Sequence, residues 1–370
     1  MSMTRYENAK LLTPNGYQRT DIILNDGRYR IASPADQAPV EDGREKTFIP
    51  GIIDGYCHIG ATTRYAQLAE LAAQSGVQTL ITAPDSFELI DTTADVALIQ
   101  THFGSLVAPL GCITIGNQNQ VLADLATLAK AGAVGFSQGN AVLCDLQTLY
   151  NAMQYAASFD LLFVIHPAEP ALSAKALVHD GEYAVRMGLI GEPSCSETIS
   201  ASALIQLAKA TGCRLHLSRI SCGGTVELMA QAKAAGQAVT CDVAIDNLTA
   251  TEANTEGFNT DFKVWPVLRS EADRNALCEG VKAGIIDMVV SNHRKVSAAQ
   301  KATTFDEAPF GREKLPSFGH QLLNLIETWA LSAEDAHRLI RGAAERIYQL
   351  PTPDANATLS SVDAIKTGGR

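Results

Sequence analysis

From Phe48 onward the chain repeats one alternation, a short and almost wholly apolar run followed by an Ala- and Leu-rich stretch with apolar residues at helical spacing. The runs are FIPGIID, VQTLITA, SLVAPLGCITI, AVGFS, LLFVIH, RLHLSRI, AVTCDVAI and IDMVVSNH. Between them lie RYAQLAELAAQSG, VLADLATLAKAG, DLQTLYNAMQYAAS, SASALIQLAKATG and TVELMAQAKAAG, each closing near Gly or Ser. Runs without polar alternation suit strands buried on both faces, as in a parallel sheet. Eight such strands, each followed by a helix over about 240 residues, meet the needs of a closed (β/α)8 TIM barrel. A doubly wound open sheet is the alternative, but it wants a Gly-rich phosphate turn after its first strand. DGYCHIG, Asp54 to Gly60, is not one.

Three segments follow: a small β domain at 1–48, the barrel at 49–349 and a tail at 350–370. In the first, DIILNDGRYRI alternates around Asn25-Asp26-Gly27, a hairpin signal. Two helices, LPSFGHQLLNLIETWA and SAEDAHRLIRGAAERIYQL, close the barrel, the second capped by Ser332. The net charge of −11 and the absence of a Lys/Arg cluster argue against nucleic acid or an anionic membrane as partner. MSMTRYENAKLL lacks the basic and apolar parts of a signal peptide, and no apolar run is long enough to span a bilayer, so a cytoplasmic location is expected. Eight scattered cysteines without Cys-x-x-Cys spacing read as reduced, mostly core residues.

Barrel chemistry sits at the C-terminal strand ends. Strand one ends in Asp54, Tyr56 and His58, strand four in Ser137, Gln138 and Asn140, strand five in His166, strand six in Arg219, and strand eight in Asn292 and His293. Each has a local explanation, since a strand-end histidine often bonds a loop carbonyl and an Asn often makes a turn. Together they describe one polar rim. A two-metal hydrolase needs imidazoles, carboxylates, a bridging anion and a base. Arg219 would repel a metal, Asn292 is no base, and neither Gln138 nor Asn140 supplies a bridging anion. A Cys57/His58 dyad is disfavoured because strand neighbours point to opposite faces.

The rim resembles that of the dihydroorotases with a split β-sandwich domain, in the amidohydrolase superfamily. The likeness is carried by FKVWPVLRSEADRNALCEGVKAGIIDMVVSNH, 262–293, and FDEAPFG, 305–311. PGIID at 50–54, GAVGFS at 132–137 and TGCRLHLSRIS at 211–221 add to it. The resemblance implies metal ligands at Tyr56, His58, Gln138 (or its strand-four neighbours), His166, Arg219 and Asn292, of which His58 and His166 match the family. It implies a substrate-clamping arginine at Gly60, with Arg64 as a substitute, and substrate-binding asparagines at Asp85 and Trp265. Asn292 stands where the family has its general base. It further implies a β-sandwich here reduced to the N-terminal segment, with ATLSSVDA, 357–364, as the remnant of its C-terminal strands.

Four of six ligand positions and the base are thus replaced, which points to a non-catalytic homologue with no cofactor. By the same resemblance its partner is aspartate carbamoyltransferase, with self-association. The competing expectation is an active cyclic amidohydrolase with one zinc at His58 and His166, helped by His293, or a metal-free site using Cys57. If Arg219 fills the space of the cations, Asp54 or Asp85 would balance it.

Overall fold

The computed structural model describes residues 3–25, 28–141, 145–351 and 359–368. The chain divides into two compact units, Met1–Asp54 with Tyr65–Leu80 and Leu315–Arg370, and Gly55–Arg64 with Ile81–Lys314.

In the first unit, β1 (Thr4–Thr13) and β2 (Gly16–Asn25) form an antiparallel hairpin closed by Thr13 opposite Gly16. Gly16 has φ +105°, which a side chain would resist. A bulge between Tyr6 and Ala9 is pinned by Asp21, which accepts the Asn8 N–H at 2.9 Å and pairs with Arg5 at 2.6 Å. β3 (Arg28–Ile31), β4 (Val40–Asp42) and β5 (Thr47–Pro50) follow. The strand order is β2, β3, the C-terminal strand Leu359–Ser361, β5, β1, β4, and β1 also pairs with β2, so five strands close a circuit. This is one closed sheet where two facing sheets of a sandwich were expected. Leu359 sits opposite both Tyr29 and Pro50, satisfying two strand edges that would otherwise face water. It also packs with Ala9, Leu11, Ile22 and Phe48. The expected turn at Asn25-Asp26-Gly27 falls on Asp26 and Gly27, outside the described residues, while Asn25 pairs with Arg28. Of ATLSSVDA, Ala357 and Thr358 lie outside them too.

The remaining strands are β6 (Ile52–His58), β7 (Val77–Thr82), β8 (Val107–Pro109), β9 (Gly111–Cys112), β10 (Phe136–Ser137), β11 (Leu162–Ile165), β12 (Val178–His179), β13 (Gly191–Glu192), β14 (Arg214–Leu217), β15 (Val239–Ala244), β16 (Met288–Val290) and β17 (His293–Arg294). They make two ladders, β17-β6-β7-β8 and β9-β10-β11-β14-β15-β16. The third apolar run is split into β8 and β9 at Leu110, and the eighth into β16 and β17 at Ser291 and Asn292. Joining the ladders through these two runs gives the eight-strand parallel cycle of a TIM barrel. β12 and β13 form a separate parallel pair that the sequence did not signal.

Helix ends follow the local chemistry. Asp124, Asp145 and Ser270 cap the helices Leu125–Ala131, Leu146–Ala157 and Glu271–Lys282, while Gly132 and Gly212 end helices in the left-handed conformation. Ser332 caps Ala333–His337 as expected, accepting the Asp335 N–H at 3.0 Å. That helix then widens into a π-turn, Arg338–Gly342, before Ala343–Tyr348. No described helix is long and apolar enough to cross a membrane. The seven described cysteines form no disulfide with one another, and Cys144 lies outside the described residues.

Candidate functional site

Two residues at strand ends take backbone conformations that side chains normally avoid. Arg219, just after β14, has φ +56°, and Asn292, between β16 and β17, has φ +49°. Left-handed non-glycine residues cost about 1–2 kcal/mol and persist only where the surroundings enforce them. At Arg219 the enforcement comes from Asp242 on β15. Its Oδ1 accepts the Arg219 N–H at 2.6 Å, and its Oδ2 accepts from His216 Nε2 at 2.8 Å. At Asn292 the backbone N–H donates to Tyr56 O at 3.2 Å, and the side-chain amide donates to Trp265 O at 2.9 Å.

These turns aim Arg219 into the centre of the rim, where it is 1% exposed. Its Nη1 donates to Asn140 Oδ1 at 3.0 Å and Asn292 Oδ1 at 3.4 Å, and the guanidinium lies 3.9 Å over the Tyr56 ring. A desolvated cation on an aromatic face is worth about 2 kcal/mol or more. Nε has no partner, and no carboxylate of the described residues pairs with this guanidinium. The expected ion pair with Asp54 or Asp85 is therefore not formed. The Arg219 charge is carried by amide oxygens and a π-face, and burial pushes the Tyr56 phenol above its ordinary range, keeping it neutral beside the cation.

Asp85 lies instead against Gly139 and Asn140. Its Oδ2 accepts the Asn140 N–H at 3.4 Å, and its Oδ1 lies 4.0 Å from His58 Nε2. Gly139 has φ +62°, and a Cβ there would sit 2.1 Å from the Asp85 carboxylate, so only glycine fits this turn. Burial, opposed by Asp85, lowers the pKa of His58. Burial and then the Arg219 charge bring His166 down to about 3, and burial followed by the Lys295 charge brings His293 down to about 4. Both are neutral imidazoles. His166 Nδ1 bonds Ser218 O at 3.2 Å, the local role a strand-end histidine often has, and His293 Nδ1 accepts the Lys314 N–H at 3.0 Å.

Beside this cluster opens a cavity of about 300 Å³, whose polar wall is Gln138, Asn140, His166 and Arg294 and whose aromatic wall is Trp265 and Phe310. Trp265 meets His166 and Phe310 edge-on, at 5.9 and 5.6 Å between ring centroids. Arg294 and Phe310 were not among the residues expected from the sequence. The signal for Arg294 was its place directly after His293, because β17 pairs with β6 so that Arg294 stands opposite His58. Gly60 leaves open space, with only Thr63 Oγ1 at 3.6 Å from an added Cβ. Arg64 is exposed and does not line the cavity. Cys57 is buried within β6.

The donor set does not fit a metal. Tyr56, Gln138 and Asn292 are neutral, a guanidinium occupies the middle, and among the described residues no three His, Cys, Asp or Glu side chains converge to hold an ion. The strand-end groups are arranged to bury one cation against neutral partners.

In fold, the chain superposes on the L-hydantoinase (dihydropyrimidinase) of Arthrobacter aurescens with a TM-score of 0.78, covering 97% of this chain and 85% of that one at 22% identity. The dihydropyrimidinase of Brevibacillus agri gives 0.75 over 97% and 84%, at 15% identity. The chain thus shares the fold of these two proteins. Residues 45–224 match the family model described as dihydro-orotase-like. The chain is 33% identical over 307 residues to the dihydroorotase of Geobacillus kaustophilus, 79% of this chain and 72% of the relative. To that of Pelotomaculum thermopropionicum it is 31% identical over 363 residues, 94% and 85% of the two chains. The chain belongs to the dihydroorotase-like family.

Proposed function

We propose that this chain is a non-catalytic dihydroorotase homologue that serves in the cytoplasm as a structural partner of aspartate carbamoyltransferase in de novo pyrimidine biosynthesis, and that it self-associates. Relatedness at about one-third identity suits an enzyme or an inactive homologue equally, so the reading rests on the chemistry of the rim. The observation that carries it is Arg219, a buried guanidinium held by Asn140, Asn292 and Tyr56 at the centre of the strand ends. Metal-assisted hydrolysis needs a Lewis acid and a base on the attacking water, and a cation among neutral amides supplies neither. The transferase assignment is supported by the resemblance to inactive homologues that assemble with that enzyme.

The test has two arms. The purified chain, supplied with zinc, is assayed for dihydroorotate turnover and for bound metal. One tightly held equivalent of zinc with turnover would replace this reading by the active enzyme. In the second arm the chain is mixed with aspartate carbamoyltransferase from the same source and passed over a sizing column. Separate elution, with transferase assembly and activity unchanged, refutes the partnership.

A further inference from the structure

The hairpin of β1 and β2 turns through Pro14 and Asn15, with Thr13 paired to Gly16. Asn15 is exposed, and the glycine after it makes this the only Asn-Gly step in the chain. Gly16 stands at φ +105°, and a Cβ built on it would meet nothing within 4 Å, so the space around this peptide is open. The Thr13 hydroxyl donates to Gly16 O at 2.6 Å, which fixes the peptide that follows Gly16 and not the one that joins it to Asn15. Asn8, in the same hairpin, is the contrast. It is also exposed, but Ala9 follows it, fully buried, and its own carbonyl accepts from Arg19 Nη1 at 2.9 Å, so the Asn8–Ala9 peptide is held.

An asparagine side chain can close on the backbone nitrogen of the next residue, and glycine permits the rotation this needs because it has no Cβ to clash. The Gly16 N–H gives its proton to hydroxide and the nitrogen attacks Asn15 Cγ. The new C–N bond forms as the Cγ–Nδ2 bond breaks, and ammonia leaves with a proton from water. Water then opens the cyclic imide. Attack at Cγ gives aspartate, whereas attack at the main-chain carbonyl carbon gives isoaspartate, in which the chain runs through Cγ and the α-carboxylate is free. We propose that Asn15 is a site of spontaneous deamidation through this imide, and that the isoaspartate formed makes the aged chain an acceptor for an isoaspartyl methyltransferase. In that step the methyl group moves from the sulfonium of S-adenosylmethionine to an oxygen of the free α-carboxylate, and S-adenosylhomocysteine leaves. Either product adds one negative charge to the formal −11, and isoaspartate lengthens the turn by one methylene, against the pairing of Thr13 with Gly16. The site does not rest on the transferase assignment.

The full-length chain is kept for several weeks in warm, mildly alkaline buffer and then digested with trypsin, which releases peptide 11–19 with Asn15 and peptide 6–10 with Asn8. Mass spectrometry should show the amide-to-acid mass gain in the first at least about 10-fold faster than in the second. The rate should rise about 10-fold per pH unit, because the attacking nitrogen must first lose its proton. A purified isoaspartyl methyltransferase with labelled S-adenosylmethionine should label peptide 11–19 from the aged chain and not from the fresh one. Asn15→Gln, whose longer side chain would have to close a larger ring, should age without the mass gain or the label in this peptide. The proposal is overturned by a mass gain at Asn15 no faster than at Asn8, by aspartate forming there without isoaspartate, or by an Asn15→Gln peptide labelled as strongly as the parent's. Any of these leaves the assembly reading standing, and failure to co-elute with the transferase leaves this site standing.

Discussion

Asp242 is the residue on which the geometry of the rim turns, and its removal has a calculable cost. The carboxylate is 0% exposed, and it accepts the Arg219 N–H on one oxygen and His216 Nε2 on the other. In Asp242→Ala both donors lose this buried acceptor, at about 1–3 kcal/mol each. The cavity left by the carboxylate adds roughly 0.5–1 kcal/mol. The left-handed turn at Arg219 is also released from its restraint. A loss of about 2.5–7 kcal/mol follows. Asp242→Asn behaves differently. Its Oδ1 still accepts the Arg219 N–H, and its amide can donate to Nε2 once His216 moves its proton to Nδ1 and bonds Thr240 Oγ1, 2.8 Å away. That variant should lose only about 1 kcal/mol. Urea unfolding followed by far-UV circular dichroism reads both, and at a slope of about 3 kcal/mol/M the alanine variant's midpoint falls by roughly 1–2 M. An alanine variant within about 1 kcal/mol of the parent, or an asparagine variant as damaged as the alanine one, would refute the role given to Asp242.

Three other consequences are open to measurement. His166 and His293 have folded pKa values near 3 and 4, well below the ordinary 6.5, so below pH 6.5 the unfolded chain binds more protons. Stability should be level above pH 6.5 and fall by about 1.4 kcal/mol per pH unit for each histidine down to about pH 4, roughly 4 kcal/mol for the pair at pH 5. A His166→Gln/His293→Gln double variant with the parent's pH profile would contradict this. Arg269, 3% exposed, donates to Glu192 Oε2 at 2.9 Å and to Ser221 Oγ at 3.0 Å, so Arg269→Ala should lose about 3–5 kcal/mol in urea unfolding. Ending the chain at residue 350 removes Leu359 from the closed sheet and opens the edges of β3 and β5, and hydrogen exchange in β1–β5 should then rise by about 10-fold or more.

The barrel was legible because its strands are buried on both faces, and such strands leave continuous apolar runs that periodicity detects. What the runs could not show was where pairing stops. SLVAPLGCITI breaks at Leu110 after a proline that cannot donate to a ladder, and AVGFS yields only Phe136–Ser137. Strand-end residues were legible as a rim because the barrel topology places them there. Their partners were not. A guanidinium reaches several ångströms, and its direction at Arg219 is set by a left-handed φ that depends on Asp242, 23 positions away. Arg294 went unnoticed because its place on the rim depends on β17 pairing with β6, a register that neighbouring sequence does not encode.

The segments that carry the family resemblance hold the frame. Lys263 and Arg269 flank Trp265 in FKVWPVLRS. The former donates to Phe305 O at 2.6 Å, tying that segment to FDEAPFG, and the latter to the buried Glu192. Between them Trp265 supplies a cavity wall and, through its carbonyl, holds Asn292. The rim residues therefore depend on one another, since Asn292 and Asn140 accept from Arg219 and Tyr56 lies beneath it. Replacing one of them alone should confer no hydrolysis. In Arg219→His the cation is gone, but Asn292 still cannot take a proton and Tyr56 remains a buried neutral phenol. Dihydroorotate turnover in that variant with zinc present should stay at the uncatalysed rate. Activity gained from this single change would mean that Arg219 alone blocks an otherwise competent site, and the mutual dependence drawn from the geometry would be wrong.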